Sequence, residues 1–394
     1  MSRLAVVVVR FGAGITGGAE AHARMVALRL AAQHEVTILT TCAEDYVTWA
    51  DAMPPGESHD GPLRVLRFPV AHPRDLATWE AAMQPILAGA WDDDDERRVL
   101  DEQGPDVPQL LDHLREHGAG YDAVIFFTLL YTPSVMGIPL AWWKSILVPT
   151  LHDEAAAHLH AQGRAIRLAR QVLWNSPEER ELAERLYDAP DLPGTICGVG
   201  VEPPADVQPQ RARARYGLER PYLLYAGRID PDKGCGELVE NFIRWHDDRA
   251  DLVLAGRAWM ELPRHPRIRA VGVVDREALW DLCAGATATV VPSRRESLSM
   301  LALESLASGT AVLVPSGSPV LEGHVRRSRA GLVYRDAADF AAAATLLLDR
   351  PDTAAALGRD GRRYVAANFA WPRVDALYEQ AITTVARRAR GYAA

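Results

Sequence analysis

Cysteine is scarce in this 394-residue sequence: Cys42, Cys197, Cys235 and Cys283 lie far apart and form no CxxC pair. Neither a disulfide framework nor a zinc ribbon fits that spacing. Positive charge is also short, with 43 Lys and Arg against 52 Asp and Glu and a formal net charge of −9. General nucleic-acid binding rests on a basic surface and is not expected. A small polyanionic ligand is still compatible, because two or three well-aimed cations suffice to hold it. There is no repeat period and no low-complexity block, and 48% hydrophobic with 24% charged residues is the balance of an ordinary globular protein.

Long apolar runs are nearly absent as well. The run at residues 4–9 stops at Arg10, too short for a signal-peptide core, so a cytoplasmic location is expected. Residues 123–143 carry no formal charge and are long enough to cross a bilayer. Pro133, Gly137 and Pro139 interrupt them, and residues 121–128 (YDAVIFFT) read as a fully buried parallel strand. Trp142, Trp143 and Lys144 can either pack or touch the inner face of a membrane.

What is present is a rhythm. Short β-branched runs at residues 4–10, 34–41, 64–70, 121–128, 145–152 and 171–176 alternate with helical patterns, as in a doubly wound parallel sheet. A Gly- and Pro-rich stretch follows at 198–210, and the rhythm restarts at 222–228, 251–256, 268–274, 286–293, 311–315 and 331–334. The expected organisation is therefore an α/β domain over 1–197, a linker at 198–210 and a second α/β domain over 211–372. Ligands of open parallel sheets bind beyond the carboxyl ends of strands, so the loops after each strand are where chemistry is expected.

Residues 11–20 (FGAGITGGAE) follow the first strand and open a helix at about Ala19. Gly17 and Gly18 let backbone approach a ligand closely, and amides at a helix start suit phosphate or a developing anion. The dinucleotide fingerprint is incomplete here, and a simple tight turn is the other reading. Residues 227–234 (GRIDPDKG) put Arg228 and Lys233 on one loop. A planar guanidinium and a mobile ammonium can neutralise both phosphates of a diphosphate without a metal. A solvated turn would look the same.

Residues 292–309 (PSRRESLSMLALESLASG) place Glu296 in a loop and Glu304 on a helix. A carboxylate accepts from paired hydroxyls, so one can hold a sugar ring and the other a ribose. The amides of Ser299, Met300 and Leu301 at the helix start can meet phosphates. His152, in residues 151–154 (LHDE), closes the fifth strand. Adding Asp153, His158 and His160 gives no familiar metal spacing, so no metal site is expected. Residues 92–96 (DDDDE) read as a solvated acidic surface.

Together these pieces resemble a retaining glycosyltransferase of family four, with the GT-B arrangement of two Rossmann-like doubly wound α/β domains facing across a cleft. The resemblance covers almost the whole chain and rests on GGAE, HD, GRIDPDKG and residues 292–314 (PSRRESLSMLALESLASGTAVLV). It implies that Gly17 and Gly18 contact the diphosphate or the transferring sugar and that Arg228 and Lys233 hold the diphosphate. It implies further that Glu296 binds donor-sugar hydroxyls, Glu304 binds the ribose and His152 lies by the sugar. A final helix, about 373–394, would pass back onto the first domain.

The implied activity is that of a metal-independent hexosyltransferase with no cofactor beyond its substrate. The donor would be a UDP, GDP or other nucleoside-diphosphate sugar, and the acceptor a glycan, lipid-linked or small-molecule hydroxyl in surface polysaccharide or glycan assembly. Cleaving the donor makes an oxocarbenium-like sugar and an anionic leaving group, so fixed cations and amides at the phosphates lower the barrier. A GT-B sugar-nucleotide epimerase and a non-catalytic sugar-nucleotide-binding protein share these features. Two departures stand out: Ser299 occupies a position where many relatives carry glycine, and residues 317–322 (GSPVLE) replace a more usual Gly-Gly segment.

Overall fold

Apolar β-branched runs satisfy their backbones by pairing, and a parallel sheet of them is stable only when helices bury both faces. The computed structural model describes residues 1–15 and 17–392; Thr16 of the glycine loop and residues 393–394 of the expected last helix lie outside the described residues. The first set of strands is β1 (Arg3–Val7), β2 (Glu35–Thr41), β3 (Gly56–Asp60), β4 (Leu63–Phe68), β5 (Ala123–Phe127), β6 (Ser145–Val148), β7 (Gln171–Trp174) and β8 (Thr195–Ile196). They form one sheet in the order β3-β4-β2-β1-β5-β6-β7-β8. Only the β3 to β4 pairing is antiparallel.

The second set is β9 (Tyr222–Ala226), β10 (Asp251–Ala255), β11 (Ile268–Gly272), β12 (Ala288–Val290), β13 (Val312–Pro315) and β14 (Gly331–Tyr334). It is wholly parallel in the order β11-β10-β9-β12-β13-β14. Alternation along its central strands shows the double winding. Leu223 and Tyr225 join the core under the helices Cys235–Trp245 and Ala337–Asp349, whereas Tyr222 and Leu224 join the core under Pro209–Tyr216 and Arg276–Gly285. Each such fully buried side chain contributes about 1.5–3 kcal/mol.

All twelve runs expected as strands are strands, eleven of them shorter than expected and β14 with the expected bounds. Two further strands carried little signal. β3 (GESHD) has no apolar side chain, and it pairs by a hairpin through Gly61 at φ 59°, announced only by the Asp60-Gly61 dipeptide. β8 has two residues.

The chain divides into two compact units, Met1–Val199 together with the last helix from Val374, and Gly200–Arg373. That last helix, Trp371–Tyr392, is held by Asp375, which accepts from Arg29 Nε at 2.7 Å, and by Glu379, 2.8 Å from His34 Nε2. The uncharged stretch 123–143 is β5, the helix Thr132–Leu140 and a turn at Trp142–Lys144. The buried Lys144 ammonium donates to the carbonyls of Gly118, Ala119 and Tyr121, which ties it inside the first unit. Among the described residues no helix is long and apolar enough to cross a membrane.

The acidic run 92–96 is solvated at Asp92, Asp93 and Asp94, as expected, but Glu96 departs from that reading. Asp92 caps the helix Asp93–Gln103 and exchanges bonds with Asp95 in a capping box. Glu96 is buried, and it accepts from the amides of His160 and Ala161, at 2.8 and 2.9 Å, and from Arg164. One carboxylate of the run thus caps the helix His160–Leu168, where the dipole favours it.

Candidate functional site

In the second sheet the strand order reverses at β9: β10 and β11 lie to one side, β12 to β14 to the other. Loops leaving β9 and β12 therefore part at a topological switch point, where open parallel sheets bind ligands. The β9 exit is residues 227–234. Gly234 takes φ 75°, and a Cβ there would press on the Pro292 carbonyl. Only glycine lets this loop lie against the β12 exit. Asp230 fixes the loop by accepting from the Lys233 amide at 2.8 Å and pairing with Arg228.

The consequence is a meeting of two residues far apart in sequence. Lys233 Nζ donates to Glu296 Oε1 at 2.9 Å, with the lysine side chain 35% exposed and the glutamate 15%. A pair this open to water is worth about 0–1 kcal/mol, so a ligand can take either partner at little cost.

Beyond Glu296 the chain enters the helix Met300–Ser308 through Ser299, which sits at φ 67°. The left-handed region favours glycine, and Ser299 bears about 1–2 kcal/mol of strain there. No side chain caps the helix start. The amides of Met300 and Leu301 therefore lie in the first turn, where no intrahelical acceptor reaches them. His324, from the helix Pro319–Ser328, supports the approach: its Nε2 donates to the Leu298 carbonyl at 2.8 Å, and its Nδ1 accepts from the Tyr364 hydroxyl at 2.9 Å. In the divergent segment 317–322, Gly317 takes φ 83° and its amide donates to Glu322 Oε1 at 2.7 Å.

Glu304 is buried in that helix, and its carboxylate pairs with Arg276, the first residue of the helix after β11. Burial raises its pKa and the Arg276 guanidinium opposes the rise. Arg276 is a partner that sequence reasoning missed, since nothing in the order of residues joins the β11 exit to a helix after β12.

The first unit holds the remaining expected residues. Gly17 is the N-cap of the helix Gly18–Leu30, and a Cβ on it would collide with the Glu20 carboxylate. Glu20 instead folds back and accepts from Arg10 Nε at 2.8 Å, while Gly18 has open space where a side chain would stand. His152 follows β6, separated from β1 by β5, so both loops leave the same carboxyl edge. Its Nδ1 lies 3.1 Å from Glu154 Oε1 without a hydrogen bond's alignment. Among the described residues no group of His, Cys, Asp or Glu is placed to hold a metal ion.

Arg228, Lys233, Glu296, Ser299, Met300, Leu301 and Glu304 thus all lie in the second unit, and Gly17, Gly18 and His152 in the first. The residues of the second unit offer cations and helix-start amides to an anion and carboxylates to hydroxyls, the complement of a sugar joined to a diphosphate.

Comparison with known proteins bears on this arrangement. Residues 220–350 match the family described as glycosyl transferases group 1. A D-inositol 3-phosphate glycosyltransferase of Streptomyces scabiei (strain 87.22) is 30% identical over 269 residues, 61% of this chain and 59% of that protein. The match therefore spans less than two thirds of that relative. Sucrose-phosphate synthase from Thermosynechococcus elongatus superposes with a TM-score of 0.70 at 20% identity, covering 98% of this chain and 100% of that one. The Anabaena HepE protein, in complex with UDP and glucose, gives 0.68 at 13% identity, covering 98% and 100%. The fold is GT-B, and the match to group 1 glycosyl transferases lies within the second unit.

Proposed function

We infer that this chain, with a group 1 glycosyltransferase domain in its second unit, moves a sugar from a nucleoside-diphosphate sugar to a hydroxyl acceptor. The observation that carries the reading is the junction of the β9 and β12 exits, where Lys233 meets Glu296 at 2.9 Å beside an uncapped helix start at Ser299. On donor binding Lys233 turns from Glu296 to the diphosphate, joined by Arg228 and the amides of Met300 and Leu301. Glu296 is released to accept from hydroxyls of a hexose, and Glu304 accepts from the ribose.

As the bond from sugar to diphosphate breaks, negative charge grows on the leaving oxygens, and these fixed donors stabilise it more than they stabilise the ground state. Neutralisation by Arg228 and Lys233 leaves no task for a metal ion. The acceptor hydroxyl attacks from the face the diphosphate leaves, a phosphate oxygen takes its proton, and configuration is retained. Gly17, Gly18 and His152 keep the roles that the family resemblance gives them in handling the sugar and the diphosphate. Relatives named for D-inositol 3-phosphate and sucrose phosphate put small polyol phosphates first among acceptors, with lipid-linked and surface glycans next.

The test is incubation with UDP-, GDP- and ADP-sugars and these acceptors, with the product's anomeric configuration read by NMR. Retained product is expected. Inverted product would contradict the mechanism, a new nucleotide sugar formed without acceptor would make the protein an epimerase, and tight donor binding without turnover would make it a binding protein.

A further inference from the structure

The sequence around Glu179 is Ser-Pro-Glu-Glu, with Ser176 as N-cap of the helix Pro177–Leu186 accepting from the Glu179 amide at 3.1 Å. In a capping box the glutamate at this position would turn back to the N-cap amide. Here it reaches further. Oε2 accepts from the Asn175 amide at 2.6 Å, and Oε1 accepts from Asn175 Nδ2 at 3.1 Å and from the Leu151 amide at 2.7 Å. Asn175 ends the β7 exit and Leu151 the β6 exit, so one carboxylate bridges the loops of neighbouring strands.

The bridge is costly and unaided. Glu179 is 1% exposed, no ion pair to it exists among the described residues, and burial pushes its pKa up to about 7 against those three donors. A buried carboxylate kept without a counter-ion is expensive, and the helix already has its cap in Ser176, so the carboxylate serves the two loops rather than the helix start. The loop it holds is itself strained, since Thr150 takes φ 51° immediately before Leu151 and His152.

We propose that Glu179 is a positioning residue that fixes the backbone carrying His152 through the Leu151 amide, so that this loop keeps the geometry needed during transfer. The proposal rests on the role in sugar transfer proposed above for His152. Because Glu179 lies in the first unit and the diphosphate ligands in the second, its removal acts on the chemical step and spares nucleotide binding.

The experiment is a double-mutant cycle with Glu179→Gln and His152→Ala in the full chain, read as kcat, donor KM and calorimetric affinity for the nucleoside diphosphate. Glutamine turns a donor toward donors at the bridge, so Glu179→Gln is expected to lower kcat about tenfold, with donor KM and nucleotide affinity within about twofold. In the His152→Ala background the same change is expected to cost less than about twofold, because coupled residues are not additive. Equal losses in both backgrounds, or a loss carried by nucleotide affinity, would overturn the proposal and leave Glu179 a purely structural group. No loss from His152→Ala alone would instead remove the reading on which the proposal stands. Should Glu179→Gln fail to fold, Asn175→Ala removes only the Nδ2 bond and is expected to lower kcat about threefold with the same non-additivity; an unchanged kcat there would count against the bridge.

Discussion

Carboxylates at the carboxyl edges of the two sheets handle charge in two opposite ways. In the second unit Lys233 and Glu296 form a partly exposed pair, and buried Glu304 meets the exposed Arg276. In the first unit Glu179 is buried with amide donors and no cation. Open pairs exchange partners cheaply, which suits groups that must release one another for a ligand. A desolvated carboxylate satisfied by backbone is rigid, which suits a group that must not move. On the proposed function, binding chemistry falls to the second unit and this positioning contact to the first.

The sharpest way to break that comparison is to remove the exchanging cations. Lys233→Ala and Arg228→Ala are each expected to lower kcat about a hundredfold, the size typical for losing one charge stabiliser. Near-normal steady-state kinetics in both would mean that the charges of the second unit are ordinary surface.

Glu296→Gln sharpens the comparison, because it frees Lys233 while weakening a sugar contact. Affinity for the bare nucleoside diphosphate is expected to rise about threefold as donor-sugar KM rises about tenfold. Calorimetry and kinetics moving in the same direction would contradict partner exchange.

On the first unit, pH is the probe. The Glu179 carboxyl titrates at about 7 when folded against an ordinary 4.5, so between those values the folded protein holds a proton that the unfolded chain has released. This contribution favours folding as pH falls from 7 to 4.5 and is a cost above 7. Urea unfolding of the native protein relative to Glu179→Gln should therefore show the difference shifting in favour of the native protein from pH 7.5 to 5. A flat difference would mean that the carboxylate is not desolvated. The smallest effect is expected from Ser299→Gly, where relief of the φ 67° strain, offset by glycine's added unfolded-state entropy, should raise stability by up to about 1 kcal/mol in urea.

Much of the architecture could be read from residue order, because every parallel strand except the two-residue β8 shows as a short apolar run. β3 escaped since its five residues are polar and only its turn is informative. The candidate site was legible where chemistry is local, as in GRIDPDKG and around Glu296. It was not legible where a side chain reaches across strands. Arg276 on Glu304, His324 on the Leu298 carbonyl and Glu179 on the Leu151 amide join segments that only the sheet order brings together. In the acidic run 92–96 composition gave the solvated behaviour of Asp92 to Asp94 but not that of Glu96, which alone turns inward to cap another helix.

The most direct test of donor binding is calorimetric titration of the purified chain with UDP, GDP, ADP, CMP and TDP, with magnesium and after chelation. One diphosphate is expected to bind selectively, equally well in both conditions, and to be lost in Glu304→Ala. Binding of none, or binding only with magnesium, would contradict a diphosphate held by Arg228, Lys233 and the helix start at Ser299.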